Sequence, residues 1–179
     1  MNKDVEKILV TEDELVQISK KLGEQITKDY KGKKLLIVGV LKGSIYFLTD
    51  LSRHIDLPCN IDFIQASSYG ANTVSSGEIK IIKDICDDLS GFDVLLVEDI
   101  LDTGKTLKHI HDMLSKRNPE SIAIVTLLDK PARREADIYA DYVGVDVPNE
   151  FVVGYGLDYD QFYRNLPYIG VLKQEVYTK

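Results

Sequence analysis

The stretch that decides the fold runs from Val94 to Thr106 and reads VLLVEDILDTGKT. It begins with four apolar residues in a row, which predicts a strand that is buried on both faces of a sheet. A helical pattern follows, with apolar residues at Leu107, Ile110 and Leu114. A strand that leads directly into a helix predicts an open α/β sheet. Such sheets bind ligands at the carboxyl ends of their strands.

Three carboxylates lie at this turn, because Glu98 and Asp99 follow the predicted strand directly and Asp102 comes next. The start of a helix favours an anion such as phosphate, through its free N–H groups and its dipole. Three acids beside such a turn need a further explanation. A ligand with sugar hydroxyls, a phosphate and a divalent cation would use every group present. The alternative is an ordinary turn with solvated acids.

The residues Gly104, Lys105 and Thr106 also resemble the end of a P-loop, which would indicate a kinase. That motif requires a glycine five residues before Gly104, and the residue there is Asp99. A P-loop is therefore disfavoured.

The run from Val97 to Thr106 resembles the phosphoribosyl pyrophosphate motif of the type I phosphoribosyltransferases, more narrowly the hypoxanthine-guanine phosphoribosyltransferases. The resemblance implies transfer of a 5-phosphoribosyl group to N9 of hypoxanthine or guanine, with Mg²⁺ as cofactor. Glu98 and Asp99 would hold the ribose hydroxyls, directly or through a metal ion, and Asp102 would be the general base. The remaining residues of this run that would bind phosphoribosyl pyrophosphate, the donor substrate, are Thr103, Gly104, Lys105 and Thr106.

Two further motifs match the family on the donor side. Leu41, Lys42 and Gly43 follow a second apolar run and would form the pyrophosphate-binding loop, with a cis peptide between the first two. Ser68 and Tyr69 would begin a mobile catalytic loop. The glycine-flanked segment 70–78 is expected to act as a lid, with a plain hairpin as the alternative.

The purine side of the predicted site lies later in the chain. Lys130 follows a third apolar run, and the resemblance implies that it donates to the oxygen at position 6 of the base. The charged run around Lys130 would otherwise be expected to lie in solvent. Phe151 would stack on the purine, and the backbone of Val152 would bind its edge. Asp158 would lie at the base and hold Mg²⁺, and a nearby arginine, Arg164, would bind pyrophosphate.

The composition bounds the possible functions. The 179 residues carry a net charge of -7, which argues against non-specific binding of nucleic acid. Cys59 and Cys86 form no metal-binding spacing and indicate reduced thiols in the cytoplasm. No apolar run approaches the roughly 18 residues of a membrane span, and the first ten residues lack the apolar core of a signal peptide.

The predicted fold is therefore α/β, with a doubly wound, mainly parallel sheet flanked by helices, as in the type I phosphoribosyltransferases. Residues 1–179 are expected to form a single domain. A small hood without a sheet of its own would be built from about 1–10 and 150–179. Thr11 and Glu14 have the spacing of a capping box, which predicts a helix over 12–29.

The helix after Gly104 is expected to end at Pro119. The family resemblance implies a homodimer or a homotetramer whose substrates are small molecules. Two alternatives remain open, namely a preference for xanthine and a nucleotide-sensing regulator on the same fold.

Overall fold

The structure is a computed structural model that describes residues 3–68, 79–86 and 88–178. In these ranges the chain forms nine strands: β1 Val5–Val10, β2 Leu35–Leu41, β3 Cys59–Ser68, β4 Ile79–Lys83, β5 Asp93–Leu101, β6 Ser121–Asp129, β7 Tyr142–Asp146, β8 Val152–Val153 and β9 Ile169–Leu172. The helices are α1 Glu12–Asp29, α2 Ile45–Arg53, α3 Lys105–Ser115 and α4 Gln174–Tyr177, with a short 3₁₀ turn at Pro131–Arg133. None of the helices described here has the length and apolar character needed to cross a membrane.

Six strands form the main sheet in the order β4-β3-β2-β5-β6-β7. All neighbours run parallel except β4, which is antiparallel to β3. Ile37 and Leu95 pack in the core beside α1 and α2, whereas the next residues, Val38 and Leu96, pack in the core beside α3. Both faces of the central strands are covered, which explains why their apolar runs do not alternate with polar residues. The predicted mainly parallel sheet is confirmed.

The hood is a small sheet of its own, in the order β1-β9-β8, with antiparallel pairing throughout. Its strands come from both ends of the chain, as expected. The prediction of a hood without a sheet is wrong, because Val5, Val153 and Leu172 bury one face of these three strands in a core of their own. Such short apolar runs carry too little periodicity to predict a sheet from the sequence.

Two element boundaries also differ from the prediction. β5 does not end at Val97: its pairing with β6 continues to Leu101, so Glu98 and Asp99 lie within the strand. α3 ends at Ser115 and not at Pro119, because the N–H groups of Lys116 and Arg117 donate to the carbonyls three residues back, at 3.3 and 2.9 Å, which tightens and ends the last turn. The lid prediction for 70–78 and the prediction for Tyr69 lie outside the described residues.

Candidate active site

A pocket of about 390 Å³ opens where the main sheet meets the hood. Its lining contains all the sequence-predicted base-side residues, namely Asp102, Lys130, Phe151, Val152 and Asp158. These residues come from three separate parts of the chain. The structure therefore brings together the candidates that the sequence placed far apart.

Strand register explains how Asp102 and Lys130 meet. Leu101 and Asp129 are paired in the parallel ladder of β5 and β6, and the N–H of Lys130 donates to the Leu101 carbonyl at 3.0 Å. Asp102 and Lys130 each follow one member of this pair. Since parallel strands end at the same edge of the sheet, the two side chains reach the same pocket.

Lys130 is buried, with only 5% of its surface exposed. Its Nζ donates to the backbone carbonyl of Glu150 at 2.6 Å, just before Phe151. Burial lowers the pKa of Lys130, and nearby Asp102 partly opposes that shift. An ammonium has three N–H donors, so this contact leaves donors for a ligand. The alternative, a Lys130 side chain that lies in solvent like the rest of a charged run, does not hold.

Glu98 and Asp99 form an acidic pair in β5, in which Asp99 is buried and Glu98 is half-buried. The Oε2 atom of Glu98 is buried without a hydrogen-bond partner among the described residues. Burial raises the pKa of Glu98 well above its usual value, with a further contribution from Asp99. Burial also raises the pKa of Asp99 to about 6, although the N–H of Ile100 donates to its carboxylate. Buried acids of this kind are stabilised by hydroxyl donors or by a cation.

These acids fit a divalent cation that is shared with a ligand. Magnesium prefers oxygen ligands and is commonly held by one or two carboxylates together with substrate phosphates. The part of the chain that the structure describes contains no cluster of three or more His, Cys, Asp or Glu side chains that could bind a metal alone. The predicted ligands Glu98, Asp99 and Asp158 would therefore need the substrate's oxygens to complete a site.

The loop after β2 packs against Asp99. The Leu41–Lys42 peptide is cis, which confirms that prediction. A Cβ at position 43 would overlap the Oδ2 atom of Asp99, so only glycine fits at this point. The Lys42 Nζ donates to the side-chain oxygen of Gln161 at 3.1 Å.

Residues of the hood side contact this loop as well. Asp158 Oδ1 and Arg164 Nη2 form an ion pair at 2.7 Å, and Arg164 Nη1 donates to the Gly156 carbonyl at 2.6 Å. A Cβ at position 156 would overlap the carbonyl oxygen of Gly43. The two loops are thus in direct backbone contact. The predicted metal ligand Asp158 and the predicted pyrophosphate ligand Arg164 are partners here.

The turn from Thr103 to Thr106 connects β5 to α3. Gly104 has φ of 80° and caps the helix that begins at Lys105. A helix start leaves N–H groups without intrahelical partners, which suits a phosphate. The Thr103 carbonyl accepts from the N–H groups of Glu135 and Ala136, each at 3.0 Å. The segment after β6 therefore supports this turn. Ser68 ends β3.

Arg134 is a supporting residue that sequence reasoning missed. Its guanidinium donates to the carbonyls of Asp102 at 3.0 Å, Leu101 at 3.1 Å and Ile138 at 2.8 Å. It also pairs with the carboxylate of Asp129. These bonds hold the ends of β5 and β6 together. The sequence signal, a second arginine in a charged run, does not distinguish this role from an exposed side chain.

Sequence reasoning also missed three apolar parts of the pocket. They are Ile100, Leu157 and Tyr177. Ile100 and Leu157 belong to ordinary core patterns, and Tyr177 lies in a polar stretch near the end of the chain. No local sequence signal marks any of them as part of a binding site.

Comparisons with known proteins identify the family. Residues 7–160 match the family model described as "Phosphoribosyl transferase domain". A hypoxanthine-guanine phosphoribosyltransferase of Streptococcus thermophilus is 54% identical over 179 residues, which cover 100% of this chain and 99% of that protein. A crystal structure of a hypoxanthine phosphoribosyltransferase from Staphylococcus aureus is 56% identical with a TM-score of 0.94, and the match covers 98% of this chain and 96% of that one. The chain therefore belongs to the phosphoribosyltransferase family, and within it to the hypoxanthine-guanine phosphoribosyltransferases.

Proposed function

We propose that this pocket transfers the 5-phosphoribosyl group of phosphoribosyl pyrophosphate to N9 of hypoxanthine or guanine. The products are IMP or GMP and pyrophosphate, and the reaction serves purine salvage. The observation that carries the proposal is the convergence of Asp102, Lys130 and Phe151 on one pocket. An acid, a buried cation and an aromatic ring are what a planar, proton-losing oxo-purine requires.

The base is recognised by the hood and by the end of β6. Phe151 stacks on the ring, and the backbone of Val152 binds its edge. Lys130 donates to the oxygen at position 6, which adenine lacks. A buried donor that faces the adenine amino group would be left unpaired, and such polar mismatches discriminate strongly. The carbonyl that now accepts from Lys130 lies directly before Phe151, which places the ammonium beside the stacking residue.

The ribose and the phosphates bind on the other side of the pocket. The ribose hydroxyls donate to Glu98 and Asp99, and the buried Oε2 atom of Glu98, which has no partner among the described residues, needs such a donor. The turn from Thr103 to Thr106 holds the 5-phosphate. Pyrophosphate binds to the loop from Leu41 to Gly43, to Arg164 and to the Ser68–Tyr69 pair.

Magnesium fits this arrangement through Glu98, Asp99 and Asp158, whose side chains offer the oxygen ligands that it prefers. When bound, Mg²⁺ supplies positive charge that stabilises the departing pyrophosphate. Asp158 is paired with Arg164 in this structure, so it would have to leave Arg164 in order to hold Mg²⁺. Arg164 is then free to bind pyrophosphate oxygens.

Asp102 is the general base, which accepts the proton that the purine loses. The Nε atom of Arg133 lies 3.0 Å from Asp102 Oδ1, but not in a direction that makes a hydrogen bond. Oδ1 is itself buried, but 33% of the Asp102 side chain stays exposed, so the carboxylate is able to accept the proton of the purine N7–H. A positioned base of this kind contributes about 10²–10⁴-fold to a rate.

The experiment that tests the function is pyrophosphate release from phosphoribosyl pyrophosphate with a panel of bases. We expect release with hypoxanthine and guanine, and at most slow release with adenine. Faster release with xanthine than with either would instead establish a xanthine-preferring enzyme. No release with any base, together with a shift of DNA or RNA in a gel at physiological salt, would establish a nucleotide-sensing regulator.

The assembly and location belong to the same proposal. We infer a cytoplasmic homodimer or homotetramer in which residues 1–179 form one domain. Light scattering at several protein concentrations would measure the assembly. A monomer at all concentrations would contradict it.

A further inference from the structure

One of the residues at the base pocket is an aromatic side chain in α4 that the sequence did not mark. The ring of Tyr177 stacks on Phe151, with centroids 4.8 Å apart and planes inclined by 22°. Tyr159 meets Phe151 edge-on, at 5.7 Å and 87°. Phe151 nevertheless remains 37% exposed. Two neighbours therefore fix this ring while part of its surface stays free.

The spacing of the stack decides where a base can bind. Aromatic pairs in contact keep their centroids roughly 4.5–7 Å apart, so 4.8 Å between Phe151 and Tyr177 leaves no room for a third ring between them. A purine that stacks on Phe151 must use the face that Tyr177 does not cover. Tyr177 thus supports the stacking residue from behind.

Tyr177 is held by the hood and is not a loose tail. The N–H of Lys173, just before α4, donates to the Asp4 carbonyl at 2.9 Å. The Tyr177 ring packs against the core of the hood sheet. The N–H of Leu172 donates to the Phe151 carbonyl at 2.8 Å. One short segment therefore anchors both the backbone of Phe151 and the ring behind it.

We propose that Tyr177 is a positioning residue for the purine base, which holds the ring of Phe151 in the plane on which hypoxanthine or guanine stacks. This inference rests on the proposed function. A ring that is already fixed loses less rotational freedom when the base binds, and binding is tighter for that reason. The contact is made by the Tyr177 ring and not by its hydroxyl, so phenylalanine should serve equally well.

The first test compares Tyr177→Ala with Tyr177→Phe in the full-length enzyme. We expect Tyr177→Ala to raise KM for hypoxanthine and guanine by roughly 2- to 10-fold, the range of one aromatic pair. KM for phosphoribosyl pyrophosphate should stay unchanged, and Tyr177→Phe should match the wild type. The control is Tyr139→Ala, because that side chain is 72% exposed and does not line the base pocket.

Several results would overturn the inference. They are an unchanged KM for the bases in Tyr177→Ala, an equal rise for both substrates, or a rise in Tyr177→Phe as large as in Tyr177→Ala. If the wild type turns over hypoxanthine and Tyr177→Ala has the same KM for hypoxanthine as the wild type, only this inference is overturned. A wild type without activity on any base would instead overturn the proposed function.

A second measurement does not depend on turnover or on the alanine variant folding. The chain contains no tryptophan, so Tyr177→Trp introduces a single indole that keeps an aromatic ring behind Phe151. We expect its emission to change on titration with IMP and to stay constant with ribose 5-phosphate. Constant emission with IMP, or the same change with both ligands, would contradict the inference.

Discussion

Asp102 combines two properties that a general base needs. It lines the pocket beside Lys130, and its backbone carbonyl is fixed by Arg134 at 3.0 Å. The backbone of Asp102 is thus held by a rigid support, while 33% of its side chain stays exposed. A base held in this way acts mainly on the chemical step, since it accepts its proton as the transition state forms.

We predict that Asp102→Asn lowers kcat by about 10²–10⁴-fold. An amide has nearly the same shape but does not accept the proton. KM for both substrates should change by much less, because hydrogen bonding to the base is largely kept. Steady-state kinetics with hypoxanthine measures both parameters.

The matched control is Asp56→Asn, an exposed aspartate before β3, at the opposite end of the sheet. It should leave kcat unchanged. If Asp102→Asn keeps its turnover, or loses no more than Asp56→Asn, Asp102 is not the base.

The raised pKa of Asp99 predicts how the binding of phosphoribosyl pyrophosphate depends on pH. Burial raises its pKa to about 6, so the side chain is protonated below that pH and charged above it. Ribose hydroxyls and a cation both require the charged form. KM for magnesium and phosphoribosyl pyrophosphate should therefore rise as pH falls through about 6. In Asp99→Asn it should be high at every pH. A wild-type KM that is flat between pH values on either side of this pKa would contradict the assignment.

Elements of this fold differ in how directly their sequence specifies them. α1 is local: Thr11 Oγ1 accepts from the N–H of Glu14 at 3.3 Å, as the capping box predicts, and the helix has the predicted bounds. The conformation of the loop after β2 depends instead on contacts with residues distant in the sequence. Its glycine is required because a carboxylate on β5 lies against it, and no residue near position 43 in the sequence contains that information.

We predict that Gly43→Ala disrupts donor binding. The added Cβ would overlap Asp99 Oδ2, so either the loop or the acid must move. KM for phosphoribosyl pyrophosphate should rise at least about 10-fold, the effect of losing one charge-assisted hydrogen bond. KM for the base should change less.

The control for this variant is Gly32→Ala. Gly32 has φ of 80° and no atom within 4 Å of its added Cβ. This substitution should lower the stability by about 1 kcal/mol and leave both KM values unchanged. Equal effects of Gly43→Ala and Gly32→Ala on donor KM would show that loss of stability, and not the contact with Asp99, is responsible.

At the scale of the whole molecule, the pocket lies between the main sheet and the hood and takes residues from both. The base pocket takes Asp102 and Lys130 from the main sheet and Phe151, Val152 and Asp158 from the hood side. A product that contacts both parts binds only when they are folded together. Binding to the folded state alone raises the free energy of unfolding by mass action.

We predict that IMP at about 100 times its Kd raises the free energy of unfolding by about 2.7 kcal/mol, and that AMP at the same concentration has a much smaller effect. The difference follows from Lys130, which finds no acceptor on the adenine amino group. Thermal melts with and without each nucleotide measure it. Equal stabilisation by IMP and AMP would contradict the role of Lys130 in base selection.

The sequence by itself determined the main sheet and the acid-rich turn that follows its central strand. Uninterrupted apolar runs specify strands that are covered on both faces, and the acids and the glycine turn follow such a run within a few residues of Val97. This information is local, and it combines apolar periodicity with side-chain chemistry. Residues far apart, such as Lys130 and Phe151, were assigned only by resemblance to a family.

Only the tertiary structure decided how the pocket is closed. Strand register places Asp102 beside Lys130, Arg134 ties the two strand ends together, and the hood sheet brings Tyr177 behind Phe151. These contacts join residues that are distant in sequence, and each residue taken alone has the pattern of an ordinary core or surface position. Their roles depend on packing geometry, which side-chain chemistry and periodicity do not specify.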